Sequence, residues 1–135
     1  HERLVGSEMC IRDRDLSYNR FNKFPFEALY IQTLRSIAVR HQRDADGYRC
    51  MKEWPTNVAT CPVLQRLFLG GNDIGEVPET EEISYRIYIL DISDNPEIVI
   101  NVSAVCPYIT AGMYTLIYDS WQNIRGCPAL KLENK

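Results

Sequence analysis

Apolar residues recur at a fixed spacing along the middle of the chain. Leu64, Leu67 and Leu69, followed by Asn72 and Ile74, give the order L-x-x-L-x-L-x-x-N-x-I. Ile87, Leu90 and Ile92 ahead of Asn95 repeat it with Ile at the first position. Asp15-Leu16-Ser17-Tyr18-Asn19-Arg20-Phe21 matches its back half, and Leu34, Ile37 and Val39 ahead of Gln42 form a weaker copy. The amides at 19, 42, 72 and 95 are separated by 23, 30 and 23 residues. Apolar-polar alternation within each unit predicts a short strand with one face inside and one outside. The repeated step predicts stacked coils, with one insertion of about seven residues, in place of a single closed core.

The amide that ends each unit has a physical reason to be there. It can donate and accept at once, so it can satisfy backbone groups where the chain turns inside the stack. Asn19, Asn72 and Asn95 are therefore expected to form a structural ladder. Gln42 is one methylene longer and opens the coil that carries the insertion, so it is expected to mark a local distortion. Phe24-Pro25 and Val77-Pro78 start the return segments, at 26–33 and 78–86. The acidic run in the second of these suits a solvated face. The insertion lies within 43–60, where Asp44-Ala45-Asp46-Gly47 reads as a tight turn. A calcium loop would need more carboxylates at alternate positions. Past Asn95, Ile98, Ile100 and Val102 alternate like an edge strand. Val105 to Ile109 should pack on the core as a return. Met113, Leu116 and Tyr118 restart the template, with its amide position crowded by Trp121, Gln122 and Asn123. Terminal repeats are atypical because one face meets water, so residues 113–132 are expected to be a C-terminal cap.

Over roughly residues 15–125 these units resemble the leucine-rich-repeat superfamily. The resemblance implies an α/β leucine-rich-repeat solenoid, with short parallel strands on a concave face and loop or short-helix returns. Three stretches are similar to something narrower: Leu90-Asp91-Ile92-Ser93-Asp94-Asn95-Pro96, Val105-Cys106-Pro107-Tyr108-Ile109, and the run from Tyr118-Asp119 through Ile124-Arg125-Gly126-Cys127 to Leu130. They look like the end of surface leucine-rich-repeat lipoproteins of gut Bacteroidetes. That resemblance implies an extracellular, surface-anchored protein whose signal and anchor lie upstream. Residues 4–14 (LVGSEMCIRDR) resemble a translated sequencing adapter. Residues 1–14 are accordingly set apart from the fold as an artefact, and 15–135 are expected to be a truncated repeat domain from environmental DNA.

Charge then narrows the partners. The chain has 15 basic and 18 acidic residues, a net charge of −3. Setting the first fourteen residues aside removes three of each sign and leaves the balance unchanged. A mildly acidic surface argues against nucleic acid or an anionic membrane as partner. No apolar run is long enough to span a bilayer. Cys50, Cys61, Cys106 and Cys127 lack the C-x-x-C spacing of a zinc site. They read as buried free thiols, or as a Cys50–Cys61 bridge across the insertion in an oxidising compartment.

No nucleophile elbow, zinc-protease or phosphate-loop motif is present. Outside the first fourteen residues the single histidine is His41, expected on the surface at a strand end. Asp91 and Asp94 are three apart, which places them on opposite sides of a regular strand and weakens a paired-carboxylate mechanism. Asn101-Val102-Ser103 has the form of a glycosylation sequon, a match common by chance. A recognition module without cofactor or metal is therefore expected. Solenoids bind on their extended strand surface, and the outward positions of the template select its residues: Tyr18, Arg35, Arg40, Arg66, Phe68, Tyr88 and Asp91, with Tyr114, Thr115 and Ile117 in the last coil. A protein or peptide ligand suits such a surface. A glycan would use Tyr18, Phe68 and Tyr88 as stacking platforms. The alternatives are a structural spacer, or the targeting arm of a larger protein whose active or binding domain lies upstream.

Overall fold

The computed structural model describes residues 11–56, 58, 61, 63–78 and 83–133. Seven strands of three residues appear in order: β1 (Asp13–Asp15), β2 (Ser36–Ala38), β3 (Arg66–Phe68), β4 (Ile89–Asp91), β5 (Val99–Asn101), β6 (Thr115–Ile117) and β7 (Asn123–Arg125). A 3-10 helix (Phe26–Tyr30) forms the first return, and two short helices, α1 (Cys106–Thr110) and α2 (Pro128–Glu133), lie near the C-terminus. Strands β1, β2, β3, β4 and β6 make one parallel sheet in that order. Ile37, Leu67, Leu90 and Leu116 align across its middle. This is a parallel-strand solenoid, as the spacing predicts.

The inward positions make one continuous core. Leu34, Leu64 and Ile87 open three of the coils, and Val39, Leu69 and Ile92 close their strands; all six are buried. A coil on its own could not shield these side chains, so burial comes from stacking. The first coil is different: Arg14 stands at the position aligned with Ile37. Asp13 and Arg14, inside the stretch that resembles an adapter, thus form part of the first strand.

The insertion is built into the core and is more than a distortion. Met51, Trp54 and Val58 are buried in it. Its backbone accepts hydrogen bonds from the third coil, Asp73 N to Met51 O and Gly75 N to Lys52 O. Residues 44–48 turn as expected: Asp44 Oδ1 accepts from the N–H groups of Asp46 and Tyr48, and Gly47 takes a positive φ of 87°. Of the return expected at 78–86, residues 79–82 lie outside the described residues.

Three expectations for the last third need correction. Residues 98–102 supply a strand, as expected, but in a separate two-stranded sheet and not at the edge of the main one. Their strand β5 pairs with β7, and Val99 also bridges Glu76 on its other side. The terminal assembly therefore begins upstream of 113. Met113 is not an inward residue: it is 67% exposed, and Tyr114, expected to face outward, is buried in its place. Burial desolvates the Tyr114 phenol and pushes its pKa up, and its hydroxyl has no partner among the described residues. Finally, Cys106 and Cys127 form a disulfide between α1 and the start of α2, while Cys50 and Cys61 are free thiols, each half-buried. No helix among the described residues is long and apolar enough to cross a membrane.

Candidate functional site: the outward face of the five-stranded sheet

The amide ladder supports this face from beneath. Asn72 is fully buried; its Nδ2 donates to the carbonyls of Val39 and Leu69, and its Oδ1 accepts from Gln42 N. Asn95, also fully buried, donates to Leu69, Ile92 and Ser93 carbonyls and accepts from Ile74 N. Each amide thus bonds its own coil and the coil before it. Gln42 does the same, donating to Arg40 O and Leu16 O and accepting from Phe21 N. Its extra methylene is no distortion of the ladder. Asn19 is different: it is exposed, and among the described residues it donates only to Leu16 O and Ser17 O of its own turn. The ladder has a further rung, Gln122, whose Nε2 donates to Ile92 O and Asn95 O. Template reasoning missed it because it stands one residue later in its turn than the others.

On the carboxyl-terminal side of the strands, three of the expected residues meet. Arg40 Nε donates to Asp91 Oδ2 at 2.8 Å, and its guanidinium lies 4.4 Å from the centre of the Phe68 ring. Asp91 is nearly inaccessible, and its second oxygen accepts from the backbone and hydroxyl of Ser93. Arg40 belongs to the second coil and Asp91 to the fourth, so the pair crosses the third. Gly70 makes that crossing possible, because a Cβ there would come within 2.9 Å of Asp91 Oδ2.

A row of turn residues runs beside this cluster. Tyr18, His41, Gly71 and Asp94 all have positive φ, at 60°, 54°, 76° and 52°. They hold the same place in successive coils, one residue before the amide. Three non-glycine residues in this region carry local strain. The Tyr18 and His41 rings stack at 4.9 Å between centres. A Cβ on Gly71 would lie 2.2 Å from the His41 ring, so His41 is packed between two coils and only half exposed. Asp15, nearby, has its carboxyl held below the usual aspartate range by hydrogen bonds from the Ser17 backbone and hydroxyl.

On the amino-terminal side stand the other expected residues. Arg66 Nη1 approaches the Tyr88 hydroxyl at 3.3 Å, and Nη2 approaches Asp13 Oδ1 at 3.6 Å. Arg35 precedes β2, and its Nη1 is shielded from solvent without an acceptor among the described residues. The expected surface therefore divides in two. Arg40, Phe68 and Asp91 form one group, Arg66 and Tyr88 another, while Arg35 stands apart and Tyr18 belongs to the turn row.

Two further arginines were missed because they come from the insertion. Arg49 donates to Asn72 O and Asp94 O and pairs with Asp94 Oδ1 at 3.0 Å. Arg43 donates to Gln42 O and Gly71 O. Together they tie the strand-end turns of three coils. Asp91 and Asp94 consequently have separate arginine partners. Among the described residues no three His, Cys, Asp or Glu side chains gather as a metal site requires.

Parallel three-residue strands, a buried amide ladder and short returns define a repeat solenoid. Solved structures share it. A leucine-rich repeat protein from Bacteroides thetaiotaomicron matches 89% of this chain at 51% identity, with a TM-score of 0.85. One from Bacteroides eggerthii matches 87% of it at 52% identity, with a TM-score of 0.81. The chain belongs with the leucine-rich-repeat proteins. It spans 14% and 19% of the lengths of these two neighbours. No protein-family model matches it, and no curated relative does.

Proposed function

We propose that this chain is a non-catalytic recognition module that holds a protein or peptide on the concave strand surface of a bacterial surface protein. The observation that carries this reading is the outward face itself. Three neighbouring coils of the five-stranded sheet place arginine and aromatic side chains together, with Arg66, Tyr88, Arg40 and Phe68 all partly open to solvent. Arginine and tyrosine are favoured at the energetic centres of interfaces. A peptide suits this surface better than a glycan. Of the aromatic platforms a sugar would need, Phe68 has its ring covered by Arg40, and Tyr88 has its hydroxyl held by Arg66. The Cys106–Cys127 disulfide supports an oxidising, extracellular setting, in keeping with a surface lipoprotein.

The test is selection of binders from a displayed peptide library, followed by affinity measurement with Arg66→Ala/Tyr88→Ala. Loss of at least about 2 kcal/mol is expected for a true anchor pair. Unchanged affinity in the double variant for every selected binder would sink the patch. The second reading is a spacer or targeting arm. It predicts that no peptide is selected.

A further inference from the structure

The outward positions of the five strands change character across the sheet. In register they form two rows, Asp13, Ser36, Arg66, Ile89 and Thr115, then Asp15, Ala38, Phe68, Asp91 and Ile117. The first two coils contribute only acidic or small side chains. The last three contribute Phe68, Ile89 and Ile117, on neighbouring strands. Between the two rows Leu67, Leu90 and Leu116 take the core side and are buried. Phe68 and Ile89 are half-buried yet do not pack against the core, and Ile117 is 38% exposed. The polar side chain set among them, Asp91, is nearly inaccessible. One of its oxygens is bonded to Arg40 and the other to Ser93. No unmet charge therefore lies between the three apolar residues.

A charged ligand group placed here would lose water without gaining a partner, whereas a neutral apolar group would not. We infer that the outward face of the third to fifth coils is an apolar docking surface, and that its occupant is an extended peptide segment carrying aliphatic side chains, seated on Ile89 and Ile117 beside Phe68. This rests on the recognition reading above and adds the chemistry of the ligand. Arg66 aligns with Ile89 at one edge of the patch, with its Nη1 on the Tyr88 hydroxyl. Its remaining donors can serve a main-chain carbonyl of the same segment. In an extended peptide alternate side chains point to one face, so aliphatic residues at every second position would all meet the sheet.

The probe is a fluorescein-labelled decapeptide alternating Leu and Thr, compared by anisotropy with counterparts that carry Asn or Glu in place of Leu. The Leu peptide is expected to bind most tightly, and added salt not to weaken it. Ile89→Thr and Ile117→Thr should each weaken binding about tenfold, the loss of one apolar contact. Both variants keep a β-branched side chain on the strand and leave the core untouched, so the fold is retained. Thr115→Val, which extends the patch beside Ile89, should tighten binding, an effect that lost folding could not produce. Equal binding of the Asn peptide, preference for the Glu peptide, indifference to both isoleucine variants, or no binding of any probe would each overturn the inference. If library-selected binders still depend on Arg66 and Tyr88 after such a result, the recognition reading survives and only the apolar ligand is lost.

Discussion

The first and last coils solve the same problem differently. Each has one side that no coil of the described stack covers. In the first, Arg14 occupies the inward slot, Leu16 and Phe21 are only half-buried, and Asn19 bonds within its own turn. In the last, Leu116 fills the slot, Gln122 reaches back to the preceding coil, and β7 closes on β5. The Cys106–Cys127 disulfide and the bond from the Tyr118 hydroxyl to Leu130 O then fasten α2 over the end. The contrast shows what an amide must do to matter here. It must be buried between two coils and satisfy groups on both; residue type and spacing are insufficient.

The strongest test of that statement is Asn72→Ala. Three hydrogen bonds are lost in a fully buried setting, so a cost of about 3 kcal/mol is expected. A urea midpoint that falls with an unchanged slope would show it; a loss under about 1 kcal/mol would mean that apolar packing alone couples the coils.

Replacing both cap cysteines, as Cys106→Ser with Cys127→Ser, should cost about 2–4 kcal/mol. The effect should be local. Hydrogen exchange should rise first over residues 99–133, with the β2–β3 region protected. Uniform exchange along the chain would show instead that the solenoid opens as one unit.

Gln122→Ala should cost less, about 1–2 kcal/mol, since it removes two buried hydrogen bonds while Ile92 O keeps the Asn95 amide and Asn95 O keeps Ile98 N as donors. Gln122→Asn should not restore the loss, because the position is offset by one residue and needs the longer side chain. Full rescue by Asn in thermal melts would disprove that geometric account.

The smallest effect belongs to Asn19→Ala. An exposed amide competes with water for its partners, so the expected change is within about 0.5 kcal/mol. A cost comparable to that at Asn72 would erase the distinction between the first coil and the interior.

Much of the fold was legible because strand alternation has a period of two. A slip of one residue would turn the whole apolar set outward, so Leu64, Leu67 and Leu69 suffice to say which side faces in. The template failed where a coil departs from its neighbours. Met113 has the right type at the right spacing, yet Tyr114 takes its place beneath the sheet. Gln122 has the right chemistry at the wrong offset. Arg43 and Arg49 lie in the insertion, where no repeat gives a position.

The sequence by itself determined the coil count of the central stack, the inward residues and the amides at its turns, because these depend on contacts repeated at a fixed step. Only the tertiary structure decided which distant side chains meet. Arg40 and Asp91 are 51 residues apart, and they pair because stacking brings the second and fourth coils within a side chain's reach over a glycine. The pairing of Cys106 with Cys127 has the same origin. It depends on distances through space, which a linear pattern does not contain.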